Sequence, residues 1–283
     1  MLTLRSIAVS VLCGIASLTP ALVGAQQQDA RALVRSVVAH ELTADKNDHS
    51  RWMFRDANKT ADKDTVTLVV QTAEGDPSKT IEMNGQPLTP QQQKDDEQKI
   101  HQFVTDPNVR QKQKHDHEQD GEKAASLTKM LPDAFLWNVT GRKAAETTLT
   151  FKPDPKFNPP THEARVFAAM EGTMVVNTKQ KRIKSLKGKL TQDVDFGFGI
   201  LGKLEKGGTF HIERRQIGPN VWEITATHIH IQGHALIFKS ISEQQDEATD
   251  HYKPAPESIT LAAAEKMLND GQVAKELGVT EPK

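Results

Sequence analysis

Residues 209–231 read TFHIERRQIGPNVWEITATHIHI, two alternating runs on either side of Gly218-Pro219-Asn220. A period of two marks strands with one face toward a core and the other toward solvent, and the Gly-Pro-Asn break marks the turn of an antiparallel hairpin. The stretch is one of a series. Before it come AFLWNVT (134–140), ETTLTF (146–151), ARVFAAMEGTMVV (164–176), KRIKSLKGKL (181–190) and TQDVDFGFGI (191–200), and after it HALIFKSI (234–241). Turn signals such as Pro153-Asp154-Pro155, Asn177-Thr178 and Gly207-Gly208 separate them. Runs this close leave no room for crossover helices, so the reading is one large antiparallel sheet.

Toward the N-terminus, SRWMFRDA (50–57), DTVTLVVQT (64–72) and KTIEM (79–83) add three shorter strands, the last ending on an Asn84-Gly85 turn, for about eleven in all. A sheet of that size must curl or pack on itself, which predicts a mainly β (α+β) fold, a curved sheet or half-barrel. Ahead of the strands, Ala30, Leu33, Val34, Val37, Val38 and Leu42 recur at helical spacing. Residues 89–131 are a helical insertion, with Thr89-Pro90 and Asp106-Pro107 as helix starts. Only 8 of the 40 residues from 91 to 130 are apolar, so these helices form a solvated lid. The domain is expected to span 26–245. Residues 246–283 are read as a linker and C-terminal helical tail, with SITLAAAEKMLNDG (258–271) helical, Gly271 as its C-cap and the end disordered.

The chain has 283 residues, 36% hydrophobic and 5% aromatic, a formal net charge of −1 and a single cysteine, Cys13. The charge balance argues against a nucleic-acid partner, and one cysteine excludes an internal disulfide or a CxxC pair. MLTLRSIAVSVLCGIASLTPALVGA, with one basic residue, an apolar stretch and Val23-Gly24-Ala25, reads as a signal peptide cleaved after Ala25. The mature chain, with no transmembrane span, is then expected to be periplasmic or secreted.

The order of elements resembles the bacterial lipoprotein-localisation superfamily, the LolA, LolB and RseB group. Local echoes are IEMNGQPLTPQQ (81–92), a strand and turn leading into the lid helices, and AAMEGTMVVNTKQKRIKSLKG (168–188), a glycine-bearing strand and basic return strand. The resemblance implies a half-open barrel whose concave apolar face, lidded by helices, holds acyl chains.

Gly197, Gly199 and Gly202 satisfy GxGxxG, but a strand follows where a dinucleotide site needs a helix, so a nucleotide cofactor is not expected. The motif reads instead as a strand with Phe196, Phe198 and Ile200 on one face. With Leu201, Phe167, Met170 and Met174 these are the expected lining of an apolar cavity for an acyl chain, lipid or lipidated protein. Lys181, Arg182 and Lys184 in the basic hairpin are candidates for phospholipid headgroups or an envelope protein partner, the alternative function being an interaction or sensor module. His228 and His230 share one strand face and His211 can reach them across the hairpin, a metal-binding geometry that makes a third reading. No GxSxG, HExxH or Walker motif occurs and no cysteine survives cleavage, so no enzymatic activity is expected.

Overall fold

In a computed structural model the chain is described over residues 20–196, 202–235 and 244–280. Helix α1 (Pro20–Asn47) precedes β1 (Trp52–Thr60), β2 (Asp64–Val70), β3 (Ser78–Met83) and the short β4 (Gln86–Pro87), followed by α2 (Pro90–Thr105) and α3 (Pro107–Ala134). Then come β5 (Phe135–Lys143), β6 (Glu146–Pro153), β7 (Met170–Asn177), β8 (Arg182–Leu190), β9 (Val194–Phe196), β10 (Gly202–Leu204), β11 (Thr209–Gly218), β12 (Val221–His230) and β13 (Gly233–Ala235). The chain closes with β14 (Gln244–Pro254), α4 (Leu261–Asn269) and α5 (Gln272–Leu277). Eleven strands make one antiparallel sheet in the order β4-β3-β2-β1-β14-β12-β11-β8-β7-β6-β5, open at β4 and β5, so it is not a closed barrel. The expected count of eleven therefore holds with different members. The described parts of the 191–200 and 234–241 runs, β9 and β13, join β10 in a separate three-stranded sheet.

Local chemistry accounts for the elements. Helix α1 buries Ala30, Val34, Val37, Val38 and Glu41, a stripe at helical spacing. Thr89 caps α2 in a capping box with Gln92, and the Asp106 side chain caps α3 at Asn108, each with proline at the first helical position. Asn84 (φ 53°) and Gly85 (φ 71°) form the β3–β4 turn. At the β11–β12 hairpin, a Cβ on Gly218 would lie 2.7 Å from Trp52 Cη2, so this glycine leaves room for the indole at the start of β1.

Three expectations are corrected. ARVFAA does not extend β7: Glu163–Ala169 is a 3-10 helix burying Ala164, Phe167 and Ala169, started by a bond from Ala164 N–H to Thr161 Oγ1 (3.2 Å). The supposed linker is β14, held between β1 and β12 in the middle of the sheet. It carries little apolar alternation because neither of its faces is deeply buried. The supposed tail is structural, since α4 and α5 bury Leu261, Ala264, Leu268, Val273, Ala274 and Leu277.

The core is split between the two faces of the sheet. One cluster joins α1 to Trp137, Leu149, Phe151, Met174, Leu190 and Phe210 of the β5–β11 half. The other joins Ile100 of α2 and Ala264, Leu268, Val273, Ala274 and Leu277 of α4–α5 to Met53, Val66, Leu68, Val70 and Ile81 of β1–β3. Register shows that these are opposite faces: Phe210 lies across from Ile229, Ile229 from Gln245, and Gln245 from Thr60. Thr60, Asn58 and Asp56 thus share the α1 face, and Ala57, Val66 and Leu68 alternate to the other. Among the described residues, each face is therefore left without a helix where the other is covered.

Candidate functional site

Of the residues expected to line an apolar cavity, the three whose side chains are described are core instead. Phe167, Met170 and Met174 are 5%, 9% and 0% exposed and packed in the core beneath α1. Phe167 meets Phe135 edge-on, at 5.3 Å between ring centroids. Phe196 belongs to β9 by its backbone, and Phe198, Ile200 and Leu201 lie outside the described residues.

The basic hairpin is divided in role. Lys181 is exposed in the β7–β8 turn at φ 53°, and Lys184 pairs with Glu146. Arg182 is not available to a headgroup, because it is 3% exposed and its Nε lies 2.9 Å from Glu41 Oε2. Arg214 donates to the same oxygen at 2.7 Å, and Asp45 Oδ1 accepts from Arg182 Nη2 (3.2 Å) and Arg214 Nη2 (3.1 Å). Burial raises the Glu41 pKa, while Arg214, the Ile183 N–H and Arg182 pull it down. This network fastens α1 to β8 and β11. Beside it a cleft of about 570 Å³ is lined by His40, Asp48, Lys179, Arg182 and Trp222.

The histidines do converge, on a partner missed in the sequence. His211 and His228 are opposed in register with ring centroids 5.8 Å apart. His228 is also opposed to Asp246 of β14, its Nδ1 donating to Oδ1 at 2.7 Å, and His230 Nε2 donates to the same oxygen at 2.9 Å. The bond from His228 leads in holding the Asp246 carboxyl below its ordinary range. Among the described residues no group of three His, Cys, Asp or Glu is arranged to hold a metal ion, so the expected metal site does not assemble. The imidazole nitrogens are engaged by a carboxylate instead.

The open part of the α1 face, over β12, β14, β1 and β2, presents half-buried Phe54, Asp56, Asn58, Thr67, Thr227, Glu247 and Tyr252. Phe54 stacks on Tyr252 at 5.1 Å and Trp52 meets the tyrosine edge-on at 6.3 Å. Tyr252 donates to Thr249 Oγ1 at 2.7 Å, and burial pushes its pKa to about 12. Burial, with the neighbouring Glu247 charge, pushes Asp56 to about 7. Burial also raises Glu247 and Glu223. None of these three acids has an ion-pair partner among the described residues. Asp56 Oδ1, Asn58 Oδ1 and Thr225 Oγ1 are buried without hydrogen-bond partners. Unsatisfied acceptors beside an aromatic wall are what a bound molecule would complete. The patch was not legible in the sequence because β12 and β1 meet only through β14.

Fold and site together define an open, mainly β protein with helices on opposite faces of one sheet. No family model, curated protein or solved structure matches the chain. No described helix is long and apolar enough to cross a membrane.

Proposed function

We propose that the chain is an exported, non-catalytic binding protein that holds an apolar or amphiphilic ligand, such as a lipid or acylated protein, on the open part of the α1 face. The observation that supports this is the Trp52–Phe54–Tyr252 wall beside the unpartnered Asp56, Asn58 and Thr225 oxygens. Aromatic rings supply the apolar contact and the oxygens take hydrogen-bond donors of a head group. Cleavage after Ala25 leaves the described buried stripe of α1, Ala30, Val34, Val37, Val38 and Glu41, intact. Native mass spectrometry of the processed protein and displacement of a fluorescent fatty acid test the reading. Co-purified lipid is expected, with probe affinity falling about tenfold in Phe54→Ala, the cost of about 1.4 kcal/mol of lost contact. Absence of both lipid and probe binding overturns it.

A second reading, contact with an envelope protein, is favoured by α3. Of its 28 residues only Leu131, Pro132 and Ala134 are buried.

A further inference from the structure

The Tyr252 hydroxyl stands among three carboxylates. Burial leads in raising its pKa, and the charges of Glu223 on β12, Asp56 on β1 and Glu247 on β14 lie near enough to add to the rise. Register brings two of the three together. Asn58 lies across from Glu247, and Asp56, two residues back on the same face of β1, lies across from Thr249, which accepts the Tyr252 hydrogen bond. Phe54, one step further along that face, stacks on the Tyr252 ring, and Trp52 meets that ring edge-on. Carboxyls and aromatic rings therefore share one recess, in which each of these side chains is buried or half-buried.

Positive charge on this side is already committed. Arg182 and Arg214 hold Glu41 and Asp45. Arg55 turns to the opposite face with Leu68, where it pairs with Asp250 at 3.1 Å. Lys63 is exposed beyond Thr60 in the β1–β2 turn. The end of α1 adds negative charge, since Asp48 and Asp45 act on Glu223. Glu247 takes a hydrogen bond from Gln245 at 3.3 Å and has no ion-pair partner among the described residues. The neutral Asn58 Oδ1 and Thr225 Oγ1, both able to accept, are buried with no hydrogen-bond partner. Aromatic rings, carboxyls and spare acceptors are together complementary to a group that is positively charged and carries N–H donors.

Given the binding site proposed above, on which this assignment rests, we propose that the head group held there is a primary ammonium: the ligand is an amino-lipid, its chain along the aromatic wall and its nitrogen at Asp56 and Glu247. A single amphiphile fits better than a protein segment. The rings and acids lie in a recess, and of the described large apolar side chains only Ile224 is exposed, so the aromatic or aliphatic anchors of a protein interface are missing.

The test is isothermal titration calorimetry of the purified protein near neutral pH, below micelle-forming concentrations, with three amphiphiles of one chain length: dodecylamine, dodecyl maltoside and dodecanoate. The amine is expected to bind about tenfold more tightly than the neutral maltoside, within reach of one desolvated cation–π contact, and dodecanoate more weakly than either. Proton release on binding the amine, read from titrations in two buffers of different ionisation enthalpy, is expected too, because Asp56 at about 7 still holds part of a proton. In a variant combining Asp56→Asn and Glu247→Gln, shown by circular dichroism to be folded, the preference and the proton release are expected to vanish while the maltoside binds as before. Equal affinity for amine and maltoside, or a preference that survives in the variant, overturns the assignment and leaves the apolar site standing. Tighter binding of Nα-dodecanoyl-lysinamide than of dodecylamine also overturns it, assigning the recess to the lysine of an acylated protein. Failure of every amphiphile to bind overturns the site itself.

Discussion

Asp56 and Glu41 are both carboxylates that folding removes from water, and they differ in what meets them. Glu41 is 1% exposed, but two guanidiniums and the Ile183 amide surround it. Deleting one partner of such a network typically costs about 3–5 kcal/mol, because the other charge is left buried alone. Asp56 is less buried and has only the adjacent Arg55 charge against the burial and Glu247 that raise it to about 7. Its folded pKa lies above the ordinary 3.8, so the native state holds the proton more tightly than the unfolded chain. That contribution is full below about pH 4 and is lost as pH rises through about 7. Glu247 and Glu223 shift the same way. The melting temperature is therefore expected to fall between pH 5 and pH 8, and Asp56→Asn to flatten the fall and melt higher at pH 8. Scanning calorimetry across that range decides it, and an unchanged slope in the variant contradicts the assignment. Neither carboxylate stands out in the sequence, because each gains its environment from strands distant along the chain.

At the scale of elements, the readings that held rest on signals within a few residues: the stripe of α1, the Thr89 and Asp106 caps, and the Asn84-Gly85 turn. The readings that failed needed a neighbour. Residues 244–253 are almost all charged, amide or hydroxyl side chains with no apolar alternation, and prolines stand at 254 and 256. Only the ladders to β1 and β12 make that polar segment extended. His251, at φ 55°, bulges the strand and donates to the Leu277 carbonyl at 3.0 Å, tying its end to α5. Ala248 faces Ala57 on one side and Ala226 on the other. Proline there removes a ladder bond from a central strand, where it is not tolerated, whereas a linker accepts it. Ala248→Pro is expected to abolish the cooperative thermal transition seen by circular dichroism, and a wild-type melt shows β14 to be dispensable.

For the whole molecule, one strand joins two cores on opposite faces of one sheet. Because β14 bonds β1 on one side and β12 on the other, neither half can keep its edge without the other, and unfolding is expected to be a single event. A fluorophore on Lys275→Cys, in a chain whose only natural cysteine is Cys13, reports on the α4–α5 core, and tryptophan emission includes Trp137 of the α1 core. Coincident urea midpoints are expected; separated ones show two independent units. The sequence by itself determined the antiparallel β class, the helix caps and turns and the largely polar helices of the 89–131 insertion, because all of these follow from periodicity and chemistry between near neighbours. The tertiary structure alone decided that the supposed linker is the central strand, that Phe167, Met170 and Met174 are core, that Arg182 is sealed under α1, and that His228 and His230 share Asp246. Those outcomes depend on which surfaces meet across the chain, as between Arg55 and Asp250, 195 residues apart, and such pairing is settled by burial and register of the whole sheet.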